Sequence, residues 1–160
     1  MADEHSATIA ALEEEERELV LPRFDQSDAW QLGRRLAENA LQSGHAVAID
    51  IRRRGLILFR AALQGSTPDQ EYWIAGKSAA VLRMEASSRL LDLRFAAFGL
   101  DATTGWLPAP EYAITGGSVP VRVVGVGVVA AVTVSGLSSE ADHDFVVTNL
   151  RSHLHALAAS

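Results

Sequence analysis

The stretch VRVVGVGVVAAVTVSG, Val121 to Gly136, decides the fold because its centre has two incompatible readings. Gly125-Val126-Gly127-Val128-Val129-Ala130 fits G-x-G-x-x-A, the glycine pattern of a dinucleotide-binding loop. Such a loop works by leading into a helix, whose first amides and positive dipole end hold a pyrophosphate. After Gly127 the chain continues instead as Val128-Val129-Ala130-Ala131-Val132-Thr133-Val134. This β-branched run loses side-chain freedom in a helix and packs well on a pleated sheet. The cradle lacks its helix. The glycines therefore predict a tight hairpin turn or a close strand crossing, where a missing Cβ permits positive φ or close backbone approach. Strands are expected over roughly 121–125 and 127–135.

Working outward, Ser139 opens a final helix whose stripe is Val147, Leu150, Leu154 and Leu157. Upstream, residues 101–120 hold Gly105, Pro108, Pro110, Gly116, Gly117 and Pro120, and read as a long ordered loop of the kind that is often functional. Before it, Thr67-Pro68-Asp69 has the polar cap and first-turn proline of a long helix through Trp73, Lys77, Val81 and Met84. A break or bend near Ser87-Ser88 leads to a second helix ending about Phe98-Gly99. His45 to Ile51 and Leu56 to Ala61 read as a hairpin joined by Arg52-Arg53-Arg54-Gly55, a connection too short for a parallel crossover. Asp25 or Ser27 caps a helix with Trp30, Leu32, Leu36, Ala40 and Leu41 on its apolar face, and Ser43-Gly44 ends it. Two hairpins separated by helices predict the α+β class, with a largely antiparallel sheet covered by helices.

Residues 1–20 form an acidic amphipathic helix, with Ile9, Leu12 and Leu19 between glutamates, and residues 21–160 form a single domain. The net charge of -6 resides in that first segment, which leaves thirteen acidic and thirteen basic residues beyond it. A neutral body argues against a nucleic-acid binder, whose affinity comes from clustered cations. Arg52-Arg53-Arg54 reads as a solvated hairpin tip, and the glutamate face of the first helix as solvent-facing. No run of about 18 apolar residues suggests a membrane span, and the acidic start lacks the basic, apolar pattern of a secretory signal, so a soluble cytoplasmic protein is expected. With no cysteine, disulfides, thiolate metal sites and cysteine nucleophiles are excluded. No Walker loop, hydrolase motif or H-x-x-x-H pair occurs.

An antiparallel hairpin returns on itself, so it brings the end of its second strand to the beginning of its first. Thr115 to Ser118 and Ser135 to His143 are thereby expected to face each other as walls of a candidate pocket. The residues at these borders carry a resemblance. Gly116-Gly117-Ser118-Val119-Pro120-Val121-Arg122, Gly125-Val126-Gly127-Val128-Val129, Val134-Ser135-Gly136-Leu137 and Asp142-His143-Asp144 resemble the haem-degrading domain family of the GlcG and HbpS type. Leu12-Glu13-Glu14-Glu15, Val47-Ala48-Ile49-Asp50-Ile51, Ser66-Thr67-Pro68-Asp69, and Glu71-Tyr72-Trp73-Ile74 followed by Lys77 are closest to its cytoplasmic branch. The resemblance covers nearly the whole chain. It implies a profilin-like fold, a homo-oligomer and haem as the candidate cofactor. Members of the branch often place histidine directly before the paired glycines, where this chain has Thr115.

Two functional readings stand side by side. One is an oligomeric domain that binds a planar or acidic small ligand, with Lys77, Tyr112, Gly116, Gly117, Arg122 and His143 as its site. The other is a non-enzymatic oligomeric protein-interaction module. Lys77, the sole lysine, lies on the inward side of its helix, where its stem covers core and its ammonium snorkels, pairs with Asp142 or Asp144, or meets a ligand carboxylate. His143 begins the core-facing stripe and reads as a capping or core histidine, or as an axial haem ligand or general base. Tyr112 packs, stacks on a planar ligand, or ligates iron as phenolate. Arg122 forms an ion pair or meets a propionate. Trp73 and Trp106 are expected as core and loop anchors, and His153 and His155 as solvent-facing.

Overall fold

A computed structural model describes residues 2–160. The chain runs α1 (Ala2–Glu18), β1 (Val20–Leu21), α2 (Gln26–Ser43), β2 (Ala48–Arg53), β3 (Leu56–Ala62), α3 (Pro68–Met84), α4 (Ser88–Ala97), β4 (Ser118–Val123), β5 (Gly127–Ser135) and α5 (Ser139–Ala158), with a 3-10 turn at Ala102–Thr104. The strands form one sheet in the order β1-β4-β5-β2-β3. Its pairings are antiparallel except that of β1 with β4, which is parallel. The α+β class stands as expected. β1 alone adds to the expected order of strands, because the extended segment Leu19-Val20-Leu21-Pro22 contributes two residues that pair with β4, a hundred residues later.

The stretch at 121–136 is a hairpin whose connection is Val124-Gly125-Val126. Gly125 and Gly127 take φ of 74° and 101°, and a Cβ on either would meet nothing within 4 Å. Conformation, not a close crossing, is therefore what these positions require.

The two faces of the sheet differ in chemistry. Successive side chains point to opposite sides. Val47, Ile49 and Ile51, Val119 and Val121, and Val132 and Val134 pack beneath α2 and α5, in one core with Leu32, Leu36, Val146 and Leu150. The alternate residues Asp50, Ser118, Thr133 and Ser135 are buried on the other face, which α3 crosses. That face is held by hydrogen bonds. Ser118 and Thr133 hydroxyls are 2.8 Å apart, and Asp50 accepts from Arg52 and Arg60 at 2.6 and 2.9 Å.

The caps explain the helix boundaries. Asp25 and Asp28 form a reciprocal box at the start of α2, and Gly44 ends that helix at φ 67°. Ser87 caps α4 through the Leu90 amide, and of the break or bend expected there the chain makes a break. Ser138, not Ser139, caps α5, because the Ser139 hydroxyl is occupied by the Gly116 amide at 2.6 Å.

The glutamate face of α1 is not simply solvated, as expected from sequence; four of its acids reach the body. Glu13 meets Arg94, Glu15 meets His143, Glu16 meets Arg122, and Glu18 meets Arg151, at 2.7 to 3.0 Å. Ile9 and Leu12 meanwhile join a second apolar cluster with Ala80, Leu90, Leu91 and Phe95. Sequence shows the charge of such a helix but not the partners, all from residue 94 onward, that its fold brings opposite.

Candidate functional site

Six predicted site residues fall in three environments. The first is a closed polar node. Lys77 on α3 is 1% exposed, and its ammonium donates to Val134 O at 2.8 Å and Gly116 O at 3.1 Å, with Asp142 Oδ2 at 3.5 Å. Three acceptors match the three protons of an ammonium. Burial pushes Lys77 below the ordinary lysine range against the pull of Asp142. Burial likewise raises the Asp142 carboxyl, opposed by Lys77 and by the Leu137 amide at 2.9 Å. Gly116 and Gly117 close the node. A Cβ at Gly117 would lie 2.4 Å from Lys77 Nζ, and one at Gly116 would lie 2.4 Å from Ser139 O. The segments 115–118 and 135–143 meet as the hairpin geometry predicts, and the side chain of Lys77 fills the space between them.

The second environment lies under α1. His143 is 1% exposed, and its Nε2 is 2.7 Å from Glu15 Oε1. Arg122 meets Glu16 Oε2 at 3.0 Å and donates to the Glu85 carbonyl at the end of α3. Both predicted residues thus hold α1 to the sheet and to α5. His153, expected in solvent, is 1% exposed and stacks edge-on to Phe24. It lies one turn beyond the buried row of Val146 and Leu150, a periodicity that its polarity disguised.

The third environment holds Tyr112. The Arg83 guanidinium lies 5.2 Å from its ring centre and also donates to the Trp106 carbonyl. Gly76 lets the loop approach α3 here, since a Cβ on it would be 2.9 Å from that of Ala113. Tyr112 packs on the same apolar cluster as Met84, Leu91 and Phe95.

That cluster opens to the surface as a groove the sequence did not reveal. Its volume is about 360 Å³, within the range of small-molecule sites. Met84, Leu91 and Phe95 line it together with Phe98, Leu100 and Trp106, and Arg94 is its one charged lining residue. Phe98, Leu100 and Trp106 are 78%, 51% and 60% exposed, and Trp106 packs edge-on to Phe95 at 5.6 Å. Trp106 is therefore both a loop anchor and an open wall of the groove. The available signal was Phe98-Gly99-Leu100 and then Trp106 beyond a helix end, apolar residues where a connection is ordinarily polar.

Among the described residues, no His, Asp and Glu group is placed to hold a metal ion, and no helix is long and apolar enough to cross a membrane. The groove supplies an apolar bed, aromatic faces and one arginine side chain. Those features suit a planar hydrophobic molecule with an acidic group. For iron it offers only the thioether of Met84, because His143 and Tyr112 do not line it.

One mixed sheet with an apolar and a polar face, helices on both, and a groove beside α4 define a small α+β domain. The chain belongs to the HbpS-like family, described as haem degrading protein HbpS-like, which it matches over residues 24–151. A UPF0303 protein of Streptomyces coelicolor is 51% identical over 144 residues, 89% of this chain and 91% of that one. The crystal structure of the Ybr137w protein superposes with a TM-score of 0.86 at 27% identity, covering 96% of this chain and 94% of that one. A crystal structure of a PduOC:haem complex shares the fold at a TM-score of 0.70 and 19% identity, over 81% of this chain and 94% of that one.

Proposed function

We propose that this protein binds a planar, largely apolar, carboxylate-bearing ligand of the haem type in the groove beside α4, and does so as a homo-oligomer. The observation that carries the reading is the exposure of Phe98, Leu100 and Trp106 around a buried apolar floor, next to Arg94. Exposed apolar side chains gathered in one concavity mark a binding surface, whereas scattered ones need no explanation. Family membership supports the ligand class. Arg94 would receive a propionate, and Phe98 and Trp106 would face the ring. Lys77, Gly116, Gly117, Arg122 and His143 set the frame that holds the loop 101–117 against α3 and α1. Tyr112 supports the groove from behind through Arg83 and Trp106. Iron, when present, would supply its own redox chemistry.

The test is a titration with haemin and with metal-free protoporphyrin, monitored by the Soret band and by tryptophan emission. Saturable binding of both, weakened by Trp106→Ala and by Arg94→Ala, is expected. Binding of haemin alone, lost with His143→Ala or Tyr112→Phe, would move the site to the iron donors and overturn the groove. No saturable binding of either would favour the protein-interaction reading. That second reading has its own observation: Val124 and Val126 stand 66% and 70% exposed at the tip of the β4-β5 hairpin.

A further inference from the structure

Arg94 lines two depressions at once. One is the aromatic groove, and the other lies between α1 and α4, lined by Glu13, Glu16, Leu90 and Arg122. On that second side Arg94 Nη2 donates to Glu13 Oε1 at 2.8 Å, with the two side chains 41% and 35% exposed. The single cation offered to a ligand acid is therefore already engaged by a carboxylate of this chain. Arg94 lies within the span matched by the family and Glu13 lies before it. We propose that Glu13 is an internal competitor for Arg94. It sets how strongly the groove selects acidic over neutral planar ligands, and it ties ligand occupancy to the docking of α1.

This rests on the groove reading above. A ligand carboxylate arriving at Arg94 either displaces Glu13 or lies beside it. Displacement costs the Glu13 ion pair, and coexistence places two like charges on one guanidinium. Both routes penalise the acid through Glu13, and neither penalises a neutral ligand of the same shape. A partly exposed ion pair of this kind is worth about two- to five-fold in affinity. The consequence for α1 is local. Glu13 is one of four acids that clip this helix to the body, so losing its contact loosens the helix without releasing it.

The experiment compares wild type, Glu13→Gln and Arg94→Ala in titrations with metal-free protoporphyrin IX and its dimethyl ester, which has the same ring without free acids. Glu13→Gln is expected to tighten the diacid about two- to five-fold while leaving the ester unchanged. Arg94→Ala is expected to erase the preference for the diacid. In hydrogen exchange, the diacid but not the ester is expected to speed exchange within α1 of the wild-type protein. Equal affinities of wild type and Glu13→Gln for the diacid would overturn the competition, with the groove intact. A gain shared by both ligands would overturn it too, because general loosening of α1 would then be the cause. If neither ligand binds any variant, the groove reading falls, and this inference with it.

Discussion

Lys77 Nζ stands 3.5 Å from Asp142 Oδ2 in a site where the two side chains are 2% and 4% exposed, linking the middle of α3 to the first turn of α5 across the ends of β4 and β5. The ammonium also satisfies the carbonyls of Gly116 and Val134. Lys77→Met keeps the stem and removes the charge, leaving a buried carboxylate and two unpaired acceptors. Breaking one side of such a pair costs about 3–5 kcal/mol. Urea unfolding should show a loss of that size, and the double variant Lys77→Met with Asp142→Asn should lose less than the sum of the single losses. A single-variant loss below about 1 kcal/mol would mean that the pair contributes little and that buried apolar residues of α3 such as Ile74 and Val81 hold it.

The paired and spaced glycines should separate under substitution. Gly117 has φ 131°, and a Cβ there would lie 2.4 Å from Lys77 Nζ and 2.5 Å from Val134 O. Gly125 has φ 74° with open space around it. Gly125→Ala should cost only the backbone penalty, about 1 kcal/mol. Gly117→Ala adds a backbone clash and the displacement of Lys77, and should cost at least twice as much. Paired thermal melts settle the order, and a larger loss at Gly125 would contradict the geometry.

These positions show what the sequence could and could not convey. Val128 to Val134 excluded a helix after Gly127 by side-chain branching alone, so the hairpin, and with it the meeting of Gly116-Gly117 with the Ser135-Gly136 turn, was legible. Whether that meeting encloses space was not, because it depends on where the Lys77 side chain ends after packing. The groove was illegible for a related reason. Phe95 and Phe98 belong to one helix end and Trp106 to the loop beyond it, and tertiary contacts such as that of Arg83, reaching from α3 to the Trp106 carbonyl, fix their distance. The clips of α1 likewise depend on partners some 80 to 130 residues away, which no periodicity encodes.

Among those clips, Glu16 is the one to test for stability. It is 8% exposed, accepts from the Ser87 amide at 2.7 Å through one oxygen, and meets Arg122 at 3.0 Å through the other. Glu16→Ala leaves a buried amide without an acceptor at the N-cap of α4, a loss of about 1–3 kcal/mol. Glu14→Ala, on the exposed side where Glu14 pairs with Arg17, should change stability by no more than about 0.5 kcal/mol. If both substitutions have equally small effects, α1 is held by Ile9 and Leu12 rather than by its acids.

His153 carries the pH prediction. Its ring is buried beside Phe24, and its Nε2 has no hydrogen-bond partner among the described residues. Burial holds the imidazole below its ordinary range, the charges of Arg35 and Arg23 push the same way, and Asp28 opposes them. The unfolded chain therefore takes up a proton as pH falls through about 6.5, while the folded chain takes it up only at lower pH. Within that window the unfolded state binds more protons, so unfolding free energy declines as pH falls, by at most about 1.4 kcal/mol per pH unit. Above the window the contribution of His153 is fully present. Urea unfolding at pH 8 and pH 5 should thus show a larger decline for wild type than for His153→Gln, which cannot titrate. An identical decline in the two proteins would place the titration elsewhere, and a smaller decline in wild type would reverse the sign.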